Sequence, residues 1–189
     1  MTSIQEQLAS ASQRAPGSRT FQQLSRHDEP RVEAFFLSFD FDQRRSFFGT
    51  GASDAAIRNY CGAIDWDFTT MIARGGPCCL EAVATLVSIP PYHALAEFHV
   101  ACPLRCNQRP IIAELTALAI EVGAIRYQGL IVLRKFAHPD LLVELRENPF
   151  ARFDTATIRV DLWPRTYAER RQPCEHASSS DISGHYWRA

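Results

Sequence analysis

The chain has 189 residues, a formal net charge of −1 at pH 7 and a hydrophobic content of 46%. This length is typical of one domain with tails, and near-neutral charge argues against the broad basic surface of proteins that bind nucleic acid or acidic lipid. The sequence contains no apolar run of about twenty residues, and its polar beginning lacks the core of a signal peptide. We therefore expect a cytoplasmic protein with no nucleic-acid or membrane partner.

The cysteines argue against a metal site. None forms a Cys-x-x-Cys pair, and no second pair of Cys or His stands at the spacing of zinc ligands. Most of them fall in apolar segments, where a free thiol behaves as a small buried hydrophobe. We expect no metal, and thiols kept reduced. The cysteines are Cys61, Cys78, Cys79, Cys102, Cys106 and Cys174.

Hydrophobic spacing and turn residues predict the order β-α-α-β-β-β-α-β-α-β. The predicted elements are a short strand at 20–24, helices at 29–39 and 53–64, a hairpin at 68–89, a strand at 96–102, a helix at 107–123, a strand at 129–134, a helix from 138, and a last strand at 157–163. The strand–helix–strand unit at 96–134 implies one parallel pair in an otherwise antiparallel sheet. Arg44 and Arg45 are expected in a solvated turn. We expect one domain at 19–163 between flexible tails at 1–18 and 164–189.

The segment from Ala96 to Gly123 carries the clearest sign of a ligand. An apolar strand leads into a loop with Arg105 and Arg109, and an amphipathic helix follows, with Gly123 at its expected end. The free N–H groups and the dipole of a helix start favour an anion, and guanidinium groups strengthen such a site. The loop has no glycine, although loops that hold phosphate through their backbone usually do.

Several segments, in this order, resemble the GCN5-related N-acetyltransferase (GNAT) superfamily over about residues 20 to 163. They are FFLSFDFDQRRSFFGTGASDAAIRNYCGAIDW, the hairpin at 68–89, the strand opening Ala96-Glu97, the helix end Ala119-x-x-x-Gly123 and the strand GLIVL. The resemblance implies an α/β fold with a mostly antiparallel sheet and one parallel β-α-β unit. It also implies acetyl-CoA or another acyl-CoA as co-substrate, and a small-molecule or protein amine as acceptor. A homodimer is possible.

The resemblance also implies a cofactor site. In this family a loop of the form Q/R-x-x-G-x-G/A wraps the pyrophosphate of coenzyme A, and Arg105 occupies the first position. The glycine positions then fall on Gln108 and Pro110, or in another register on Cys106 and Gln108, so the loop is degenerate. A strand bulge is expected near Val100 to Cys102. The implied cofactor-binding residues are Val100, Cys102, Arg105, Cys106, Gln108, Arg109 and His138.

The family's general base is often a Glu on the fourth or a neighbouring strand. Glu97 matches this position best and Glu81 is second, while His99 on the same strand is another candidate base, because imidazole is the usual side chain for this role. Each of these residues could instead be a salt-bridged or part-buried strand residue. In this family the helix after the fifth strand has an Asn near its start and a Tyr that acts as the acid. The resemblance places His138 at the position of this Asn and Leu145 at the position of this Tyr.

Other readings of the sequence stay open. Cys106 at a helix start would be a nucleophile if His99 served as its base, although packing explains the cysteines as well. The phenylalanines at 35–48 form either core or an aromatic acyl pocket. The main hypothesis is an N-acyltransferase that uses acyl-CoA. The alternative is a catalytically inactive GNAT-fold protein that binds or regulates a partner, and a third is a partner protein that docks through its first helices.

Overall fold

The computed structural model describes residues 21–76, 78–90, 92–103 and 108–162. Within this part of the chain, seven strands form one sheet and five α-helices pack against it. The strands are β1 (Phe21–Leu24), β2 (Thr69–Gly75), β3 (Leu80–Ile89), β4 (Tyr92–Ala101), β5 (Gly129–Leu133), β6 (Ala151–Phe153) and β7 (Thr157–Asp161). The helices are α1 (Glu29–Leu37), α2 (Phe41–Phe48), α3 (Asp54–Gly62), α4 (Gln108–Arg126) and α5 (Pro139–Glu147).

The sheet has the order β1-β2-β3-β4-β5-β7-β6. Every neighbouring pair is antiparallel except β4 and β5, which are parallel and are joined by the crossover helix α4. A parallel pair requires such a long connection, whereas the antiparallel pairs β2–β3, β3–β4 and β6–β7 close through short turns. The predicted fold class, a mixed α/β sheet with one parallel β-α-β unit, is confirmed.

The two faces of the sheet build two separate cores because side chains alternate along each strand. Even-numbered residues of β4, such as Phe98 and Val100, pack with α4 and α5. Odd-numbered β4 residues point to the opposite face, where Ala101 packs in the core formed with α1 and α3. Helix α1 contributes the buried rings of Phe35 and Phe36 to this second core, and Phe39, in the link between α1 and α2, contributes a third.

Helix α2 is the main element that the sequence reading misses. Asp40 caps it by accepting a hydrogen bond from the Gln43 N–H, and Gly49 ends it in the left-handed conformation at φ 75°. The expected solvated turn at Arg44 is wrong, because this guanidinium donates to the carbonyl oxygens of Phe39, Leu37 and Ala52. Arg45 beside it is exposed, as expected.

Two further differences concern the end of helix α4 and an additional strand. The crossover helix does not stop at Gly123 but continues to Arg126, since Gly123 lies buried against the sheet, where an added Cβ would stand 3.2 Å from Leu162. The short edge strand β6 is also additional, and it pairs only with β7. The predicted tails at 1–18 and 164–189 lie outside the described residues.

Strands β4 and β5 are paired over only part of their length and then diverge. Their pairing comprises Leu95 with Gly129, Ala96 with Leu130, and Glu97 with Ile131. Beyond this point β4 stays paired with β3 up to Ala101, while β5 stays paired with β7 up to Leu133. The sheet therefore opens into a gap between the ends of two adjacent strands.

Among the helices in the described ranges, none combines the length and apolar character needed to cross a membrane.

Candidate functional site

A cavity of about 140 Å³ lies where β4 and β5 separate. One wall is the end of β4, a second is the turn after β5 with the start of α5, and a third comes from α2 and from Phe39 in the link that precedes it. The walls are mostly apolar. The lining residues are Phe39, Gln43, Ser46, Phe47, Val100, Ala101, Cys102, Phe136, His138 and Pro139.

His138 is one of the polar side chains that line this cavity. It caps α5, where its Nδ1 accepts a hydrogen bond of 3.2 Å from the Asp140 N–H. An imidazole that accepts through Nδ1 carries its proton on Nε2 when neutral, and Nε2 is buried with no partner in the described part of the chain. Burial lowers the pKa of His138 below its ordinary value of 6.5, and the nearby Asp140 charge opposes this shift. The side chain is therefore a neutral donor without a partner.

Glu97 and His99 form a pair on the other face of β4. The His99 Nε2 lies 2.8 Å from the Glu97 Oε1, and both side chains are partly exposed, at 22% and 31%. An ionised carboxylate only accepts hydrogen bonds, so the proton lies on Nε2 and the Nδ1 lone pair stays available. This hydrogen bond holds the pKa of Glu97 below its ordinary value of 4.5, against the opposing effect of burial.

Aromatic rings from the helices surround this pair. The Phe47 ring lies 6.2 Å from the His99 ring, and Phe47 also lines the cavity, so it connects the two parts of the site. Behind it, Phe48 packs against Tyr60 at 5.2 Å. Burial, with a smaller contribution from the charge of Glu97, raises the pKa of Tyr60 to about 12. Tyr60 was not identified from sequence, because nothing in its local pattern distinguishes it from a core residue.

The remaining predicted cofactor residues are distributed over the same edge of the sheet. Val100 and Cys102 line the cavity. Burial raises the pKa of the Cys102 thiol to about 11, which makes it a poor nucleophile. Gln108 donates to the carbonyl oxygen of Pro103 at the start of α4. The guanidinium of Arg109 points instead to α5, where it lies near two acidic side chains, Glu144 and Glu147, at 3.4 and 3.5 Å.

The predicted loop and the predicted bulge in β4 have different outcomes. Arg105 and Cys106 lie outside the described residues, as does Asn107, the first residue of the predicted helix. The bulge expected near Val100 to Cys102 is wrong, because β3 and β4 stay in register up to Ala101 and the irregularity lies between Ser88 and Ile89. The opening of the sheet comes from the divergence of β4 and β5, not from a bulge in β4.

Solved structures with the same architecture identify the fold. A phosphinothricin acetyltransferase from Sinorhizobium meliloti, solved with acetyl-CoA, matches with a TM-score of 0.56 at 12% identity over 76% of this chain and 88% of its own. A spermidine N-acetyltransferase from Vibrio cholerae, solved with CoA and spermine, matches with a TM-score of 0.56 at 12% identity over 78% and 97%. The fold is the GNAT fold.

A third GNAT structure, an acetyltransferase from Streptococcus pneumoniae, matches with a TM-score of 0.51 at 9% identity over 74% of this chain and 96% of its own. No protein-family model and no curated protein sequence matches the chain. The resemblance to GNAT proteins predicted from the segments is thus confirmed at the level of fold. In this GNAT fold Leu145, at the position expected for the catalytic Tyr, is fully buried in α5.

Proposed function

We propose that this protein transfers an acyl group from acyl-CoA to an amine. The observation that carries the proposal is the gap between β4 and β5, with a mostly apolar cavity where the strands separate and the Glu97–His99 pair where they begin to diverge. A strand edge freed of its neighbour can pair with an extended ligand that carries amide groups. The pantetheine arm of coenzyme A is such a ligand.

The residues around the gap suit an acyl-CoA thioester. The β4 edge from Phe98 to Ala101 has no β5 partner, so its backbone groups can pair with the pantetheine arm. The unpartnered Nε2–H of His138 supplies a donor for a carbonyl oxygen. The start of α4, near Gln108, offers N–H groups to a phosphate. Acyl-CoA supplies an activated thioester carbon, and the chain's own groups position the acceptor amine.

The Glu97–His99 pair fits the role of general base. The amine arrives as an ammonium ion and must lose a proton before its nitrogen can attack. His99 takes this proton on Nδ1, while the Glu97 carboxylate holds the ring through Nε2 and balances the positive charge that develops. The carbon–nitrogen bond forms as the carbon–sulfur bond breaks, and the second proton of the attacking nitrogen passes through water to the leaving thiolate, while His99 returns its proton to solvent. A coenzyme A thiolate is stable enough to leave without a Tyr acid.

Titration calorimetry with acetyl-CoA tests the proposal directly. We expect binding, and we expect H138A to weaken it about tenfold, the effect of one lost hydrogen bond. R45A, which changes an exposed residue on the outside of α2, is the control and keeps the affinity. Absence of binding at millimolar acetyl-CoA would contradict the proposal.

Thiol release measured with a panel of amines separates an enzyme from an inactive relative. Transfer predicts free coenzyme A thiol that appears only when both acetyl-CoA and an acceptor are present. Tight binding of acetyl-CoA with no thiol release for any amine would support the alternative, a GNAT-fold protein that binds or regulates a partner.

A further inference from the structure

Within the described residues, no helix covers the half of the sheet beyond β4 on the face that carries Glu97 and His99. Helices α4 and α5 cover the opposite face, through residues such as Leu130, Ile158 and Val160. On the open face, Ile131 is only half-buried and Arg159 is 55% exposed. Among the described helices, those that pack on this side of the sheet lie over β1 to β4. Among the described residues, no helix lies between a ligand and this face from Glu97 toward the far edge.

Four side chains form one row across this open face. The strand registers pair Glu97 with Ile131, Ile131 with Arg159, and Arg159 with Arg152. Residues aligned in this way point to the same side of a sheet, and the neighbouring row, which runs through Ala96 and Leu130, is buried on the other side. The row thus begins with an acid, crosses an apolar side chain and ends with two cations.

The cationic end has an excess of positive charge. Arg159 Nε lies 2.9 Å from Asp161 Oδ1, and Arg152 Nε lies 3.1 Å from Asp161 Oδ2. The Asp161 carboxylate thus pairs with two guanidinium groups, which leaves these three side chains with a net charge of about +1. Like charges directly opposite on adjacent strands destabilise a sheet, and among the described residues Asp161 is the one acidic partner of these two guanidiniums. An anionic ligand would complete this arrangement.

We propose that this row binds the acceptor, and that the acceptor is an amine that also carries a carboxylate or another anionic group. The proposal rests on the proposed function, since Glu97 and His99 receive the ammonium end. Strands lie about 4.8 Å apart, so Arg159 stands roughly 10 Å from Glu97 across Ile131. An extended, apolar chain of this length between the two charges matches the row. A plain alkylamine or a polyamine leaves the guanidiniums without a partner.

Three acceptors of equal chain length test this proposal: an ω-amino fatty acid, the corresponding alkylamine and the corresponding α,ω-diamine. With saturating acetyl-CoA, we expect kcat/KM to be about tenfold higher for the amino acid than for the alkylamine, and lowest for the diamine. R159Q should raise KM for the amino acid about tenfold and leave kcat and the alkylamine unchanged. R146Q, on an exposed position of α5, is the matched control and should change nothing.

Binding of the same compounds to the protein without acetyl-CoA separates the two proposals. If acetyl-CoA fails to bind but the amino acid binds more tightly than the alkylamine, and R159Q removes the difference, the acceptor site stands and the acyl transfer fails. If acetyl-CoA binds and the alkylamine or diamine is preferred, the acceptor proposal is overturned. A change in the molar mass of R159Q in light scattering would also overturn it, because the face would then be a contact between copies of the chain.

Discussion

At the scale of single residues, the hydrogen bond between Glu97 and His99 makes a specific claim about catalysis. Replacing His99 with Gln keeps a hydrogen-bonding side chain but removes the base. We expect H99Q to lower kcat about 10²- to 10⁴-fold, the usual contribution of a positioned base, with no change in acetyl-CoA affinity. H27Q, on an exposed histidine outside the site, is the control. An H99Q protein with unchanged kcat would exclude His99 as the base.

His138 makes the stability of the protein depend on pH. Above its ordinary pKa of 6.5 the imidazole is neutral in both the folded and the unfolded chain, and the folded state loses nothing. As the pH falls below 6.5, the unfolded chain gains a proton that the buried side chain resists, so folding stability decreases until the lowered folded-state pKa is passed.

The variant H138N tests this dependence, because Asn keeps the cap on α5 and cannot titrate. We expect the melting temperature of the wild-type protein to fall more than that of H138N when the pH is lowered from about 7.5 to about 5.5. Differential scanning calorimetry at both pH values measures the difference. Equal losses in the two proteins would show that His138 accepts a proton freely in the folded state.

At the scale of secondary-structure elements, Arg44 holds α2 in place. Its guanidinium donates to three backbone carbonyl oxygens and forms an ion pair of 2.7 Å with Asp54. We expect R44M to lower the free energy of unfolding by about 2–4 kcal/mol, since these part-buried carbonyl groups lose a charged donor. R45M should change it by less than about 0.5 kcal/mol. Urea denaturation compares the two, and similar losses would contradict the anchoring role.

Helix α2 could not be predicted from sequence, because contacts with the rest of the fold, and not a hydrophobic pattern, hold it in place. Its segment FDQRRSFF has apolar residues only at its ends, so no helical stripe is visible. Its contacts with the rest of the fold, through Arg44 and the rings of Phe47 and Phe48, hold it in place. Helix α4 is the opposite case, because its buried residues recur at helical spacing and predict it directly. Its end at Arg126 depends on packing around Gly123.

At the scale of the whole molecule, only part of the candidate site could be predicted from the sequence. Glu97, His99, Val100 and Cys102 could be named from one strand because they follow a recognisable order of segments. The partners of Glu97 across the sheet could not, since strand register depends on contacts between segments far apart in the chain. Arg159 and Arg152 have nothing in their local sequence that indicates a ligand. Only their alignment with Glu97 through Ile131 does.

The short seam between β4 and β5 has a consequence for how the chain folds. On one side of it, β2, β3 and β4 are joined by short turns, and on the other side β6 and β7 form a local hairpin beside β5. The seam itself joins segments separated by the whole of α4, so its closure costs more chain entropy than the short turns within β2 to β4 and between β6 and β7. We expect the two halves to form first and the seam to close after the transition state.

Two Leu to Ala variants in the same core compare the seam with the first half. L130A in β5 and L86A in β3 each remove a fully buried side chain and should each cost about 2–5 kcal/mol. In stopped-flow measurements we expect L130A mainly to accelerate unfolding and L86A mainly to slow folding. The reverse pattern would mean that the seam nucleates the fold. If the expected order holds, the place where the sheet stays open for a ligand is also the last place where the chain comes together.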